Sequence, residues 1–279
     1  MTRTIDATIP KVAFPNTQDN LRLSFFIHGI VPGDVLLVHS SLSQLGWVSG
    51  GAVAVVQALM DALTPDGTLV MPTHSGDLTD PAEWQNPPVP ESWWQIIRDT
   101  MPAFNPQYTP TSGMGQVVEV FRSMPGVLRS EHPALSFAAW GKHAELVTAG
   151  HLLDYALGET SPLARVYDLD GKVLLLGVGF GNNTSFHLSE ARANSNKIVT
   201  QGSPVFINGE RKWVEYTDIY YDDSDFVKIG DDFCLEEKVT PFKVGAANCY
   251  LFSQRAVVDF ATGWIKKERG STAPAIQLP

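Results

Sequence analysis

Apolar residues Leu21, Phe25 and Phe26 recur at helical spacing between Asp19 and Gly29. Pro32-Gly33-Asp34 then turns the chain into the unbroken apolar run VLLVH. This order predicts a helix, a turn and a strand buried on both faces. The loop SSLSQLGWVSGG leads into AVAVVQALMDAL, a helical stretch that stops at Thr64-Pro65-Asp66-Gly67 ahead of a second apolar run, TLVMP. Strand, loop, helix and strand make a βαβ unit with parallel strands. Its loop, Ser40 to Gly51, should emerge at their carboxyl ends, where α/β proteins bind ligands.

Between Thr73 and Thr111 the chain is rich in proline, carries Trp84, Trp93 and Trp94, and shows little periodicity. It reads as a long excursion, and long ordered loops tend to carry function. A helix GMGQVVEVFRSM, a strand LSFAAW, a short AEL helix and a polar stretch GETSPLARVYDLDG follow. KVLLLGVG is a buried strand running through GFGNN into a helix, TSFHLSEAR. Asn208-Gly209 between alternating runs signals a β-hairpin. The last helix, SQRAVVDFATGWIKKE, gives way to a Gly/Ser/Thr/Pro tail. The expectation is an α/β fold: a central, largely parallel or mixed sheet with helices on both faces, plus a small hairpin-containing subregion. With no linker-like composition, residues 1–279 read as one domain, its core about 14–268 and 269–279 a frayed tail.

Composition narrows the partners. Twenty Lys plus Arg against thirty Asp plus Glu give a net charge of −10, which argues against nucleic acid or an anionic membrane as partner. The start, MTRTIDATIPKVAF, has no apolar signal region and no apolar run is long enough to span a bilayer, so a cytoplasmic location is expected. Two cysteines, Cys234 and Cys249, imply neither a disulfide framework nor a metal-binding pair. Oligomeric state is not legible.

His187 and Glu190 are three apart on a predicted helix and share a face. A carboxylate beside an imidazole is the basic element of general base catalysis, since it fixes the tautomer and stabilises the imidazolium; an accidental surface pair is the plainer reading. GVGFGNN lacks the third glycine of a dinucleotide loop, where Asn182 stands, so its glycines read as a tight strand-to-helix turn. His39-Ser40-Ser41-Leu42, followed by Val48-Ser49-Gly50-Gly51 opening a helix, suits an anion such as phosphate, or is merely a capped helix start. No nucleotide-triphosphate loop and no nucleophile elbow occur. His39, His74, His132 and His187 could converge with Asp77 on a metal, although no close ligand spacing appears. Asp222, Asp223 and Asp225, with Asp77, Glu83 and Glu159, would attract a cationic substrate, or are solvated turn acids.

Together, VLLVHSSLSQLGWVSGGA, TLVMPTHSGD, DPAEWQNPPVPESWW, YTPTSGMG, RSEHPALSFAAWG, LGETSPL and LLLGVGFGNNTSFHLSE resemble the aminoglycoside 3-N-acetyltransferase family, in its order and over nearly the whole chain. The resemblance implies acetyl transfer from acetyl-coenzyme A (acetyl-CoA) to an amine. The family's acceptor is the 3-amino group of a 2-deoxystreptamine aminoglycoside, attacked without an acyl-enzyme, and the activity confers antibiotic resistance. Its T-x-x-H-x-x-E motif falls on Thr184, His187 and Glu190, with His187 the implied base. Glu190, or an acid of the Asp222-Asp223 turn, would orient it. His39, Ser40, Ser41 and Leu42, with Ser49, Gly50, Gly51 and Ala52, look like coenzyme A contacts, and Thr111 and Ser112 would complete that channel. Amides of Gly113 to Gly115 or the Thr184 hydroxyl would face the thioester oxygen, no metal is implied, and Asp77, Glu159, Asp222 and Asp223 would hold the small cationic amine. Acetylation of a non-antibiotic amine, a metal-dependent hydrolase and a non-catalytic binder are the alternatives.

Overall fold

In the computed structural model, which describes residues 11–270, the chain opens with α1 (Gln18–Ile27), β1 (Val35–Ser40), α2 (Gly51–Leu63) and β2 (Thr68–Pro72). The start of MTRTIDATIPKVAF and the expected tail from residue 271 lie outside the described residues. The predicted unit is present: β1 and β2 pair in parallel, Val35 opposite Thr68 and Leu37 opposite Val70. After β2 come α3 (Glu91–Thr100), α4 (Gln116–Arg122), β3 (Leu128–Arg129), β4 (Phe137–Gly141), α5 (Ala144–Thr148), α6 (Pro162–Asp168) and β5 (Lys172–Leu176). The rest comprises α7 (Ser185–Ala193), β6 (Ile198–Ile207), β7 (Glu210–Ile219), α8 (Phe226–Glu237), β8 (Phe242–Val244), β9 (Ala247–Ser253) and α9 (Gln254–Glu268).

Seven strands form a mixed sheet in the order β3-β4-β2-β1-β5-β9-β8. The three central strands are parallel, and antiparallel strands flank them on both sides. Side-chain alternation explains why helices cover both faces. Leu36, Val38, Leu69, Met71, Leu174 and Leu176 enter one core with α1, α2 and α4. Val35, Leu37, Val70, Val173 and Leu175 enter the other with α5 to α9. Each fully buried Leu or Phe contributes about 1.5–3 kcal/mol relative to exposure, so neither layer can be stripped without losing the sheet.

Two stretches differ from expectation. The excursion after β2 contains the ten-residue α3, whose Trp94 and Ile97 turn inward while Trp93 and Ile96 stay exposed. The polar stretch GETSPLARVYDLDG holds α6, started by Pro162 in its first turn. The hairpin at Asn208-Gly209 is there: β6 and β7 pair over ten positions as a separate sheet. Arg211 docks it onto α3 through the carbonyls of Met101 (2.9 Å) and Arg98.

The chain leaves β1 through α2 to reach β2 on one side, whereas β5 lies on the other side of β1. Loops diverge at such a reversal of strand order and leave a crevice at the carboxyl ends of the strands. Residues from the stretches 41–48, 113–117 and 178–184 line it.

Candidate active site

The β1 loop is fixed from behind. Asn16 donates its backbone N–H to Trp47 O (2.9 Å) and its side-chain amide to Leu45 O (2.9 Å). Gly50 and Gly51 take φ of +84° and +57° at the start of α2, a region that side chains disfavour. Ser40, Ser41, Leu42, Trp47, Gly51 and Met114 are among the residues lining a groove of about 600 Å³. It adjoins a smaller cavity of about 210 Å³ that shares Ser40, Gly113, Met114, Val178 and Asn182 with it and is closed by His39, Asn183, Thr184 and His187.

His187 stands on the first turns of α7 with its ring edge-on to Tyr221 (4.9 Å between centroids) and against Phe226 (4.8 Å). Its Nδ1 lies 2.6 Å from Glu190 Oε2, which leaves Nε2 for the cavity. Glu190 is fully buried. Its Oε1 accepts from Arg269 Nη1 (2.7 Å), Asn196 Nδ2 (2.8 Å) and the Asp222 backbone N–H (3.0 Å). The Asp222 carboxylate caps Ser224 N instead (3.1 Å), so Glu190, not the Asp222-Asp223 turn, contacts the imidazole.

Thr184 occupies the N-cap of α7 without capping it, although threonine there commonly does. Its hydroxyl lies 3.4 Å from His39 Nε2. Burial, with His187 nearby, pushes the His39 pKa down to about 3, and His74 falls equally low for the same reasons. Both imidazoles are therefore neutral at physiological pH. Asp218 moves the other way, to about 6, because burial outweighs its bonds from Tyr221 Oη (2.7 Å) and Ile219 N. Ser40 Oγ, Asn183 Nδ2 and His74 Nε2 are buried without a partner. Asn183 Oδ1 accepts from Ser185 N (3.3 Å), and because that group can only donate, the amide's NH2 end is the unsatisfied one.

Several expected residues stand elsewhere. Ser49 is exposed, Ala52 packs in the core of α2, and Thr111 spends both its N–H (2.6 Å) and its hydroxyl (2.5 Å) on Glu119. Ser112 binds His74 O through its N–H and Asp77 through its hydroxyl (3.2 Å). Thr111 and Ser112 thus hold the loop whose Gly113 to Gln116 face the groove. Glu159 is engaged by Arg192 through two nitrogens (2.7 and 3.0 Å), and Asp223 is exposed. Neither cavity is lined by Asp77, Glu159, Asp222 or Asp223. Among the described residues no group of three or more His, Cys, Asp and Glu is arranged to hold a metal, so the histidines and Asp77 form no ligand set. No helix among them is long and apolar enough to cross a membrane.

A wider groove of about 860 Å³ beside β3 includes Arg122, Arg129 and His151. Arg129, drawn down to about 10 by burial, is spent on Thr73, Ser75, Thr109 and Ser136, and both His151 nitrogens are bonded. It offers a ligand no vacant donor comparable to Ser40 or Asn183.

Sequence reading did not single out Asn183, Tyr221, Asp218, Asn196 or Arg269 for a role at the site. The first follows the GVGFG turn and could have been suspected there. Nothing local marks Arg269, which reaches Glu190 from 79 residues away.

Known proteins share this fold. The SPbeta prophage-derived aminoglycoside N(3')-acetyltransferase-like protein YokD of Bacillus subtilis (strain 168) is 49% identical over 257 residues, 92% of this chain and 94% of its own length. Its crystal structure superposes with a TM-score of 0.93, covering 96% of this chain and 100% of that one. Aminoglycoside N(3)-acetyltransferase III of Pseudomonas aeruginosa is 34% identical, covering 93% and 97%. The structure described as AAC-IIIb binary with CoASH matches at 29% identity and a TM-score of 0.82, covering 94% and 100%. The sequence model of the aminoglycoside 3-N-acetyltransferase family matches residues 37–266. Fold, motif order and relatives agree, and the chain belongs to the aminoglycoside 3-N-acetyltransferase family.

Proposed function

We propose that this protein moves the acetyl group of acetyl-CoA to the 3-amino group of a 2-deoxystreptamine aminoglycoside, with His187 as general base. One observation carries the reading: the long groove past Ser40–Ser43 runs into a small cavity closed by an imidazole whose far nitrogen is already committed to a buried carboxylate. The groove suits the pantetheine arm of coenzyme A, with Ser41, Leu42, Trp47, Gly51 and Gly113–Gln116 holding it. Ser40 Oγ, where the two spaces meet, and Asn183 Nδ2, inside the cavity, are unpaired donors, as a site for a carbonyl oxygen requires.

An alkylammonium has no lone pair for attack, so it first loses one proton to become the free amine, and the attacking nitrogen must lose a second as its bond to carbon forms. His187 Nε2 takes that second proton, while Glu190 holds the Nδ1–H and stabilises the imidazolium. Ser40 Oγ and Asn183 Nδ2 face the thioester oxygen as its charge develops, and as the carbon–sulfur bond breaks the imidazolium returns its proton to the sulfur, which departs as the thiol of coenzyme A. The acceptor class is supported by the activity named for the relatives and by the net charge of −10; Asp77, Glu159, Asp222 and Asp223 lie outside the lining of the two cavities. A cytoplasmic, single-domain enzyme fits this use of acetyl-CoA.

The test is thiol release from acetyl-CoA with aminoglycosides that carry or lack a free 3-amine, alongside His187→Ala. Turnover should require the 3-amine and fall at least about 10²-fold in the variant, while coenzyme A still raises the Tm of both proteins. Undiminished turnover by His187→Ala would remove the base assignment. Turnover only with other amines would keep the transferase and replace the acceptor.

A further inference from the structure

Arg269 follows the last turn of α9, three residues beyond the part of the chain that the family's sequence model matches. Expected at the start of a frayed tail, it is instead largely buried, its side chain 14% exposed. All three guanidinium nitrogens are used: Nη1 on Glu190 Oε1 (2.7 Å), Nε on Asp225 (3.2 Å) and Nη2 on Asp222 O (2.9 Å). Glu190 thus has the imidazole on one oxygen and a fixed cation on the other.

Resting on the reading of His187 as base, we propose that Arg269 is a positioning residue of the catalytic pair, setting the pH at which His187 becomes free to accept a proton. The physical ground is charge balance. Glu190 from α7, Asp218 from β7 and Asp222 and Asp225 from the segment before α8 all favour a proton on His187. His39 from β1, His74 from the loop after β2 and Tyr221 are neutral neighbours at physiological pH. Arg269 is the cation that Glu190 contacts directly, and an adjacent cation disfavours a second positive charge on the imidazole. Without it, the Glu190–His187 pair takes up its first proton at higher pH, whichever member carries it. The base is then blocked over more of the neutral range. A purely structural Arg269, pinning α9 to residues 222–225, would leave that pH unchanged.

Two readouts test this in Arg269→Met, Arg269→Gln and Arg269→Lys, with Lys267→Met as control, because Lys267 pairs with Glu268 and is 81% exposed. The first follows the imidazole signal of His187 by NMR titration of the free protein, assigned by its loss in His187→Ala, and needs no substrate. The second is kcat and kcat/KM against pH. Expected are an upward move of about one pH unit in the titration and in the acid limb for Met and Gln, little change for Lys and none in the control. The KM for acetyl-CoA should stay within about twofold while kcat at neutral pH falls several-fold. Gln keeps a donor for Asp222 O should Met fold poorly, and Lys keeps the charge. A titration that superposes on that of the parent in both neutral variants overturns the proposal. A shifted titration in a protein with no turnover for any amine would instead count against the acetyl-transfer reading alone.

Discussion

Unpaired buried donors give the site its chemical character at the scale of single residues. A buried polar atom without a partner costs about 1–3 kcal/mol, and folded proteins keep few of them. Ser40 Oγ and Asn183 Nδ2 are two such atoms, and both line the cavity that contains His187. Donors left open for a charge that develops only during reaction are the expected source of such a pattern. Ser40→Ala should therefore separate function from stability. Removing the unpaired hydroxyl should leave the urea midpoint unchanged or slightly raised, while kcat for thiol release falls about 10²-fold. A destabilised variant with unchanged kcat would show Ser40 to be structural. The pair His187 and Glu190 was legible in the sequence because its partners are one helical turn apart. The bonds from Arg269, and the contact of His39 with Thr184 across 145 positions, were not, because they exist only after distant elements pack.

Elements position these residues through a few close approaches. Phe180 sits in the short turn 180–182 that carries the chain from β5 into Asn183, Thr184 and α7. Its ring is pressed against Gly230 of α8, where a Cβ would fall 2.0 Å from Phe180 Cγ. No rotamer change at residue 230 can relieve that overlap, so α8 or the turn must move. Gly230→Ala should destabilise by about 1–3 kcal/mol through overpacking and lower the Tm by several degrees. It should also reduce kcat more than it raises the KM for acetyl-CoA, because the displaced turn leads into Asn183, Thr184 and His187, which line the cavity and not the groove. Adding Phe180→Leu should restore part of both losses; a double variant no better than the single would show that the two residues do not communicate. Here too the sequence was partly legible. The β1-α2-β2 unit and the hairpin are written in local periodicity and turn residues, whereas α6 hides behind a proline and polar residues, and α3 behind an excursion without a clear period. The contact of Phe180 with Gly230 joins segments whose pairing no local pattern encodes.

At the scale of the whole molecule, several buried histidines couple stability to pH. His39 and His74 titrate at about 3 and His151 at about 4, each lowered chiefly by burial, against 6.5 for an accessible imidazole. Between those values the unfolded chain binds protons that the folded one refuses. Stability from these groups is therefore complete above about pH 6.5 and is lost as pH falls. At pH 5 each forfeits about 2 kcal/mol, at 1.36 kcal/mol per pH unit. Asp218 acts in the opposite sense: its folded value near 6 exceeds the ordinary 3.8, so it takes up a proton first in the folded state and returns about 1 kcal/mol over the same interval. From these four groups the expectation is a loss of about 5 kcal/mol between pH 7.5 and pH 5, a large share of the 5–15 kcal/mol typical of native proteins, and His132, pushed well below 6.5 chiefly by burial, adds to it. Urea unfolding at the two pH values reads this directly. The midpoint should fall steeply with little change in slope, and His151→Gln should flatten the dependence by about one proton. A midpoint that stayed level would mean that these imidazoles are hydrated or protonated in the folded state, and the neutral surroundings assigned to His187 would then have to be redrawn.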